Sequence, residues 1–365
     1  MVFGSLYFDI STTDEFDPLD NTYWTQELEM RLDGAQARDT LGRYWNGYRI
    51  PLRLLSQVLD YTGLRILAGT LFAALTAAST WAILRTFGRR IAVFFLGALL
   101  LTTVFIVPFT LNMIAPWLIM YIAILLVCYL CKKGKMGSWG IELFFTVGAL
   151  TAFFDIYTTP VITLGIPLTL VLLWRMRHSA LTPKQSCITL IILSAAWTIG
   201  YALFWATQLA IASFVIPHIN FFENALDAAQ GYSYVVTILG GVPQATLKTI
   251  ASHFATLLGA KTSDTTLTTA ELSSAIYIRA ALAVGFISMA SVLWWLRIRG
   301  YAQARTIVKH FSPLLLVALL PFVRTVISSG TSFAHTGMIH RELLVFIFAL
   351  GVFFIESYRV AREGD

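Results

Sequence analysis

Long apolar runs recur along the chain from Leu64 almost to its end. Several are long enough to cross the hydrocarbon core of a bilayer, which is about 30 Å thick and takes roughly 20 helical residues. Inside lipid the backbone must satisfy its own hydrogen bonds, so such runs form helices or closed barrels. Barrel strands alternate apolar and polar positions, and these runs do not. The pattern therefore predicts an all-α, polytopic bundle of transmembrane helices.

The apolar runs divide the chain into predicted spans and two large polar segments. An outer segment occupies residues 1–63, six spans follow within 64–214, a large outer loop occupies 215–275, and three spans and a tail fill 276–365. Periodicity leaves open whether 244–259 is a further, half-buried helix. The nine predicted spans are 64–84, 91–107, 113–131, 139–156, 159–175, 186–214, 276–296, 310–329 and 342–358.

The distribution of Lys and Arg predicts how these spans are oriented across the membrane. Only 13% of the residues are charged, whereas a soluble domain carries about 25%. The net charge of +6 does not indicate nucleic acid, because the cations are spread over short loops. Lys and Arg follow the first, third, fifth, seventh and ninth predicted spans, so the positive-inside rule places those connections and the C-terminus in the cytoplasm.

The same rule places residues 1–63 outside, although no signal peptide opens the chain. We therefore expect a preceding helix that is missing here, which would give ten spans; direct translocation of the N-terminal tail is the alternative. The later part of this segment, 43–53, mixes Tyr44, Trp45 and Tyr48 with arginines. It predicts an interfacial helix on the outer leaflet, in contact with membrane lipids.

One carboxylate stands out inside the apolar region. Between Leu64 and Phe222 the only acids are Glu142, at the start of a span, and Asp155, at the predicted outer end of the same span. An ionisable residue at membrane depth is a functional candidate. Thr158 and Thr159 follow it as potential caps or substrate contacts. The alternative is a local cap with no further role.

Four basic residues near the C-terminus are candidates for binding a phosphate: Arg324, His335, His340 and Arg341. A buried arginine needs an anion or a path to water, and its planar fork suits phosphate. The alternative is a set of interfacial cations that contact any lipid headgroup. His335 and His340 are five residues apart, which does not match metal spacing on a helix, and Cys128 and Cys131 lack a second pair, so we predict no metal site.

Nucleotide and hydrolase signatures are absent from the sequence: it contains no Walker loop, no dinucleotide-type glycine motif after a strand, no serine-hydrolase elbow and no HExxH. Any substrate is therefore expected to be membrane-borne or extracellular. Transporters usually show internal repeats and broken helices near the midplane, and neither is evident.

Several strings resemble a group of uncharacterised bacterial polytopic membrane proteins whose layout looks like the GT-C class of glycosyltransferases. They are PLDN at 18–21, RYWNGY at 43–48, FFDIYTTP at 153–160, TLGIP at 163–167, WTIGY at 197–201 and the segment 335–341.

The resemblance implies a protein of the bacterial cytoplasmic membrane that uses a polyprenyl-phosphate sugar as donor. It also implies an acid in the first outer loop as base or metal ligand, which leaves a divalent cation open as cofactor. Asp17 is the preferred base, with Asp14, Asp20 and Asp155 as rivals, since five acids share that loop. We expect the loop to lie over a cavity lined by Asp155 and by 328–341.

The sequence is compatible with three functions. The first is a membrane glycosyltransferase acting on a cell-envelope acceptor outside the cytoplasm. The second is a transporter or flippase for a lipid-linked or anionic solute. The third is a non-catalytic assembly protein, which an apolar interior without an acid cluster would favour. The sugar, the acceptor and the oligomeric state are left open.

Overall fold

The computed structural model describes residues 45–155, 157–178, 182–215, 222–223, 225, 235–257 and 301–363, with the short strands 6–7 and 39–40. The strands Leu6–Tyr7 and Asp39–Thr40 pair antiparallel, and the rest is mainly helical. The α-helices whose bounds lie within the described residues are α1 (Arg49–Leu55), α2 (Tyr61–Phe87), α3 (Arg89–Leu101), α4 (Ala115–Lys132), α5 (Met136–Phe154), α6 (Val161–His178), α7 (Pro183–Val215), α8 (Val242–Leu257), α9 (Tyr301–Ala318), α10 (Leu320–Ile327), α11 (Ser329–Ala334), α12 (Thr336–Ile339) and α13 (Leu343–Glu363).

Among the residues that the structure describes, seven stretches are helical, long and apolar enough to cross a membrane. They coincide with seven of the predicted spans, which confirms that these spans are helices of transmembrane length and composition. The predicted span 276–296 lies outside the described residues. The seven are α2, α4, α5, α6, α7, the stretch Arg305–Ile327 and the stretch Thr336–Arg362.

The predicted span 91–107 differs from the observed structure. Helix α3 has 13 residues and so extends only about 20 Å. Thr103 then adopts a left-handed conformation with φ of 50°, and a 3₁₀ helix, Val104–Phe109, follows with Pro108 inside it. Because proline removes a backbone donor, the apolar run changes from α to 3₁₀ geometry instead of continuing as one helix.

Contacts at both ends of α6 and α13 fix their relative direction. At their starts, the Val161 amide donates to Glu342 Oε1 at 3.1 Å. At their ends, Arg177 pairs with Glu356 and also donates to the Phe87 carbonyl at 2.8 Å. Helices α2, α6 and α13 therefore run parallel, as the alternation of basic loops predicts for the first, fifth and ninth spans.

Helices α5 and α7 approach each other closely because glycines lie at the contact. A Cβ added to Gly148 would overlap the Trp197 carbonyl oxygen, and one added to Gly200 would overlap the Phe145 carbonyl oxygen. Small residues let helix backbones touch in a membrane, where burial in lipid supplies no drive for association. Further along the same two helices, the rings of Phe153 and Phe204 also meet, with centroids 6.4 Å apart.

The question left open at 244–259 is answered by α8, which follows Gly240 and Gly241, both at positive φ. Glycine adopts this conformation without a Cβ clash, so the chain can turn sharply into the helix. The helix predicted within 43–53 is present as α1, which has no buried residue, and its place on the outer leaflet stays a prediction. Trp45, however, packs against Phe153 instead of lying free for headgroups, with ring centroids 5.3 Å apart.

Candidate functional site

Asp155 terminates α5 and folds its side chain into the turn that follows. Its carboxylate Oδ1 accepts hydrogen bonds from the Thr158 amide at 3.0 Å and from the Thr158 hydroxyl at 2.5 Å. The carboxyl is fully buried, which raises its pKa, while the bonds from Thr158 and the charge of Arg324 act in the opposite direction. Asp155 thus makes the local cap expected as the alternative, but it does so in a water-excluded position.

Arg324 ties this turn to the C-terminal part of the chain. Its Nη1 donates to Glu342 Oε2 at 2.9 Å and its Nη2 donates to the Tyr157 carbonyl at 3.0 Å. The guanidinium also lies over the Tyr157 ring, 4.4 Å from the centroid. Tyr157 has φ of 68°, a region that non-glycine residues rarely adopt. The anion that the buried arginine requires is therefore supplied by the protein itself.

Glu342 was not among the site residues predicted from the sequence. It is buried, and its second carboxylate oxygen accepts from the Val161 amide at the start of α6. A carboxylate suits a helix N-terminus, where free amides carry partial positive charge. A signal was present: an arginine inside an apolar run calls for an acid inside another, and Glu342 opens the last span.

The other predicted phosphate ligands are spread over the short helices that follow. His340 is buried, with Nδ1 3.0 Å from the Thr336 carbonyl oxygen, and His335 is half-buried. Arg341 is half-buried and donates through Nη1 to the Gly337 carbonyl at 2.8 Å. Its Nε has no partner among the residues that the structure describes. Arg324 Nε likewise has no partner among the described residues, but Arg324 is buried and Arg341 is half-exposed, so Arg341 is the arginine that an external anion can reach.

A polar face of α8 closes against α11 and α12. Thr249 Oγ1 lies 3.4 Å from the Ser329 carbonyl oxygen, and Ser252 Oγ lies 3.4 Å from Thr336 Oγ1. His253 Nε2 lies 3.3 Å from the Ser332 carbonyl oxygen. Burial lowers the pKa of His253 to about 3, and the nearby His340 and Arg324 add to that effect. His253 is therefore a neutral imidazole, and nothing in its local sequence marked it as a site residue.

The segment that follows the acidic stretch reaches the same region. The Gly47 amide donates to the Phe153 carbonyl at 2.9 Å, and the Trp45 indole donates to the Phe204 carbonyl at 2.8 Å. A Cβ at Gly47 would overlap the Phe153 ring, so the backbone can approach only because the residue is glycine. Residues 45–47 therefore contact the helix bundle at Phe153, which lies two residues before Asp155 in the sequence.

Asp155 lies in one buried group with Arg324 and Glu342, two residues that flank the segment 328–341. The expected cavity between Asp155 and 328–341 stays a prediction. The acids Asp14, Asp17 and Asp20 lie outside the described residues. Within the described ranges, no group of three or more His, Cys, Asp or Glu side chains is arranged to hold a metal ion.

The fold and this site define a class: a helical, multi-pass membrane protein with a buried ionic group at one end of its bundle. Comparison of the chain with protein-family models, with curated proteins and with solved structures finds no match.

Proposed function

We propose that this protein is a membrane glycosyltransferase that moves a sugar from a polyprenyl-phosphate donor to a cell-envelope acceptor on the non-cytoplasmic face of the bacterial cytoplasmic membrane. One observation carries the proposal. The chain leaving the acidic outer segment docks at Phe153, directly beside the buried group formed by Asp155, Arg324 and Glu342. Carboxylates, an arginine with spare donors and long apolar helices thereby meet at one end of the bundle, as a lipid-linked phosphate substrate requires.

The contacts of each residue indicate which role it has in the proposed reaction. Asp17 is the proposed base, with Asp14 and Asp20 as its rivals in the same loop. Asp155 is 1% exposed and already accepts two bonds from Thr158, so it shapes the turn and does not meet the acceptor. Arg324 is likewise committed to Glu342 and Tyr157 and acts as a positioning residue.

Arg341 is the proposed phosphate ligand. It is half-exposed, its Nε has no partner among the described residues, and its charge acts on the buried His340. In the reaction, a carboxylate of the outer segment takes the proton of an acceptor hydroxyl. The hydroxyl oxygen forms a bond to the anomeric carbon, and the bond from that carbon to the lipid phosphate breaks. Arg341 then stabilises the negative charge of the departing phosphate. The prenyl tail lies along apolar helix faces.

The test is transfer of a labelled sugar from polyprenyl-phosphate donors to envelope acceptors, using membranes that carry each variant. Asp17→Asn should lower the transfer rate by about 10²–10⁴, whereas the control Asp9→Asn, in the same segment, should not. Arg341→Gln should weaken donor binding, and the exposed Arg53→Gln should leave it unchanged. Equal transfer by wild type and Asp17→Asn would remove Asp17 as the base. Absence of transfer with a broad donor panel, combined with lipid flipping or uptake, would replace the enzyme by a transporter; absence of all three would favour an assembly protein.

A further inference from the structure

Three ionisable side chains are buried together at this end of the bundle, and their charges do not balance. Asp155 is 1% exposed, Glu342 is 2% exposed and Arg324 is 6% exposed. Arginine stays protonated in proteins, so the group has one full positive charge for two carboxylates. The start of α6 adds a partial positive charge of about +0.5 at most. If both acids were ionised, an uncompensated negative charge would remain away from water, which is strongly unfavourable.

The contacts decide which of the two acids takes up a proton. Glu342 receives the Arg324 guanidinium at 2.9 Å and the Val161 amide at 3.1 Å, so its negative charge is compensated on both oxygens. Asp155 receives only neutral donors, from Thr158 and from the Thr159 amide, and among the described residues no cation forms an ion pair with it. Burial of the carboxyl raises the pKa of Asp155, against the smaller opposing influence of Thr158 and Arg324.

The hydrogen bonds of the turn are compatible with a neutral acid. Oδ1 of Asp155 accepts from the Thr158 amide at 3.0 Å and from the Thr158 hydroxyl, whereas Oδ2 only shares the same amide at 3.1 Å, so Oδ2 is the oxygen that carries the hydrogen. The Thr159 hydroxyl is buried in the same turn and has no partner within the described part of the chain. It is an acceptor of the right kind for a carboxylic acid proton.

We propose that Asp155 is a buried proton-binding site whose carboxyl group is neutral in the folded protein at neutral pH. Facing Asp155 are Arg324 of α10 and Glu342 of the 3₁₀ helix His340–Glu342. Arg324 in turn acts on His253 of α8, which is buried and neutral. The proposal does not depend on sugar transfer, because it rests on the burial and the contacts of Asp155 alone.

The test is infrared spectroscopy of the full chain, purified in lipid nanodiscs at neutral pH. A protonated carboxylic acid has a C=O stretching band separate from the bands of carboxylates. The difference spectrum between wild type and Asp155→Asn should contain this band, and Asn preserves the shape of the neutral acid, so the variant should fold. The matched control Glu142→Gln changes an exposed acid on the same helix and should give no such band. A wild-type spectrum without the band, or a band that persists in Asp155→Asn, would overturn the proposal.

Discussion

Val161 and Glu342 are 181 residues apart in sequence, and a hydrogen bond of 3.1 Å joins the backbone amide of the first to the carboxylate of the second. At the opposite ends of the same two helices, Arg177 donates through Nε to Glu356 at 3.0 Å. Between Val161 and Arg177 a helix rises about 24 Å. Helices α6 and α13 are thus held together by ionic contacts at both ends, with an apolar interface between them.

The first prediction concerns the ion pair at the Asp155 end. Glu342→Gln should destabilise the protein by about 3–5 kcal/mol, because it leaves the buried Arg324 charge without its partner. Gln keeps only one acceptor oxygen, so either the Val161 amide or Arg324 Nη1 is left facing the NH2 group, which adds to the cost. The measurement is the free energy of unfolding of purified protein in mixed micelles. Glu142→Gln, an exposed acid-to-amide change, should stay within about 0.5 kcal/mol of wild type.

A double-mutant cycle separates the pair from its surroundings. If Arg324 and Glu342 interact as their 2.9 Å contact indicates, replacing both should cost less than the sum of the single replacements. Arg324→Met with Glu342→Met is a suitable pair, since apolar replacements of buried ion pairs are often tolerated. Additive costs would contradict a direct interaction.

The second prediction concerns the pH dependence of stability. The folded pKa of Asp155 is raised by burial, so the folded state holds a proton that the unfolded state loses above a pH of about 4. Stability from this residue is therefore full at low pH, falls as the pH rises above about 4, and levels off beyond the folded pKa. Asp155→Asn should flatten this slope. Unfolding midpoints of both proteins from acidic to neutral pH provide the check, and parallel curves would count against the neutral acid.

The helices were predictable because each apolar run has a length set by the bilayer, and the parallel order of α2, α6 and α13 followed from loop charges alone. The contact of Asp155 with Thr158 was also within reach, since only three residues separate them. A buried acid as the partner of Arg324 could be expected from the sequence, and Glu342 is that acid. The bond of Glu342 to Val161 and the contact of His253 with Ser332 could not be expected, because these partners are distant in sequence and a single chain does not record such pairs.

The interruption of the second predicted span, 91–107, could not be predicted from hydropathy. Hydropathy is continuous through 91–107, and the change to 3₁₀ geometry depends on Thr103 in a left-handed conformation and on a local proline. Composition reports that a segment prefers lipid, but it does not report which backbone conformation satisfies the hydrogen bonds there. Similarly, the aromatic residues at 44–48 predicted a contact with lipid headgroups, but the Trp45 ring packs against the rings of Phe153 and Phe204.

The third prediction concerns helix packing. Gly148→Ala should destabilise the protein by about 1–3 kcal/mol, because the new methyl group overlaps the Trp197 carbonyl and the helices must separate. Gly137→Ala lies on the same helix with open space around it, and should be neutral or stabilising by up to about 1 kcal/mol. Unfolding measurements on both variants test the contact. Equal stability of the two would show that α5 and α7 do not pack this closely.

The last prediction decides which side of the membrane the Asp155 end faces. Val58 precedes α2 and is 79% exposed, whereas Lys133 is exposed after α4. Helices α2 and α4 are parallel, since Ser79 of the first bonds the Tyr121 carbonyl and Thr86 meets Cys128 further along both. The two positions therefore lie at opposite ends of the bundle, and the positive-inside rule predicts Val58 outside and Lys133 inside.

Single cysteines at these positions, in a Cys187→Ala background, allow the test in intact cells; Cys128 and Cys131 are buried and can remain. An impermeant thiol reagent should label Val58→Cys and spare Lys133→Cys, and both should react once the cells are permeabilised. Labelling of Lys133→Cys alone in intact cells would place the Asp155 end in the cytoplasm. The acidic outer segment would then face cytoplasmic water, and a donor presented on the other face could not reach it, so the proposed reaction would fail on geometry alone.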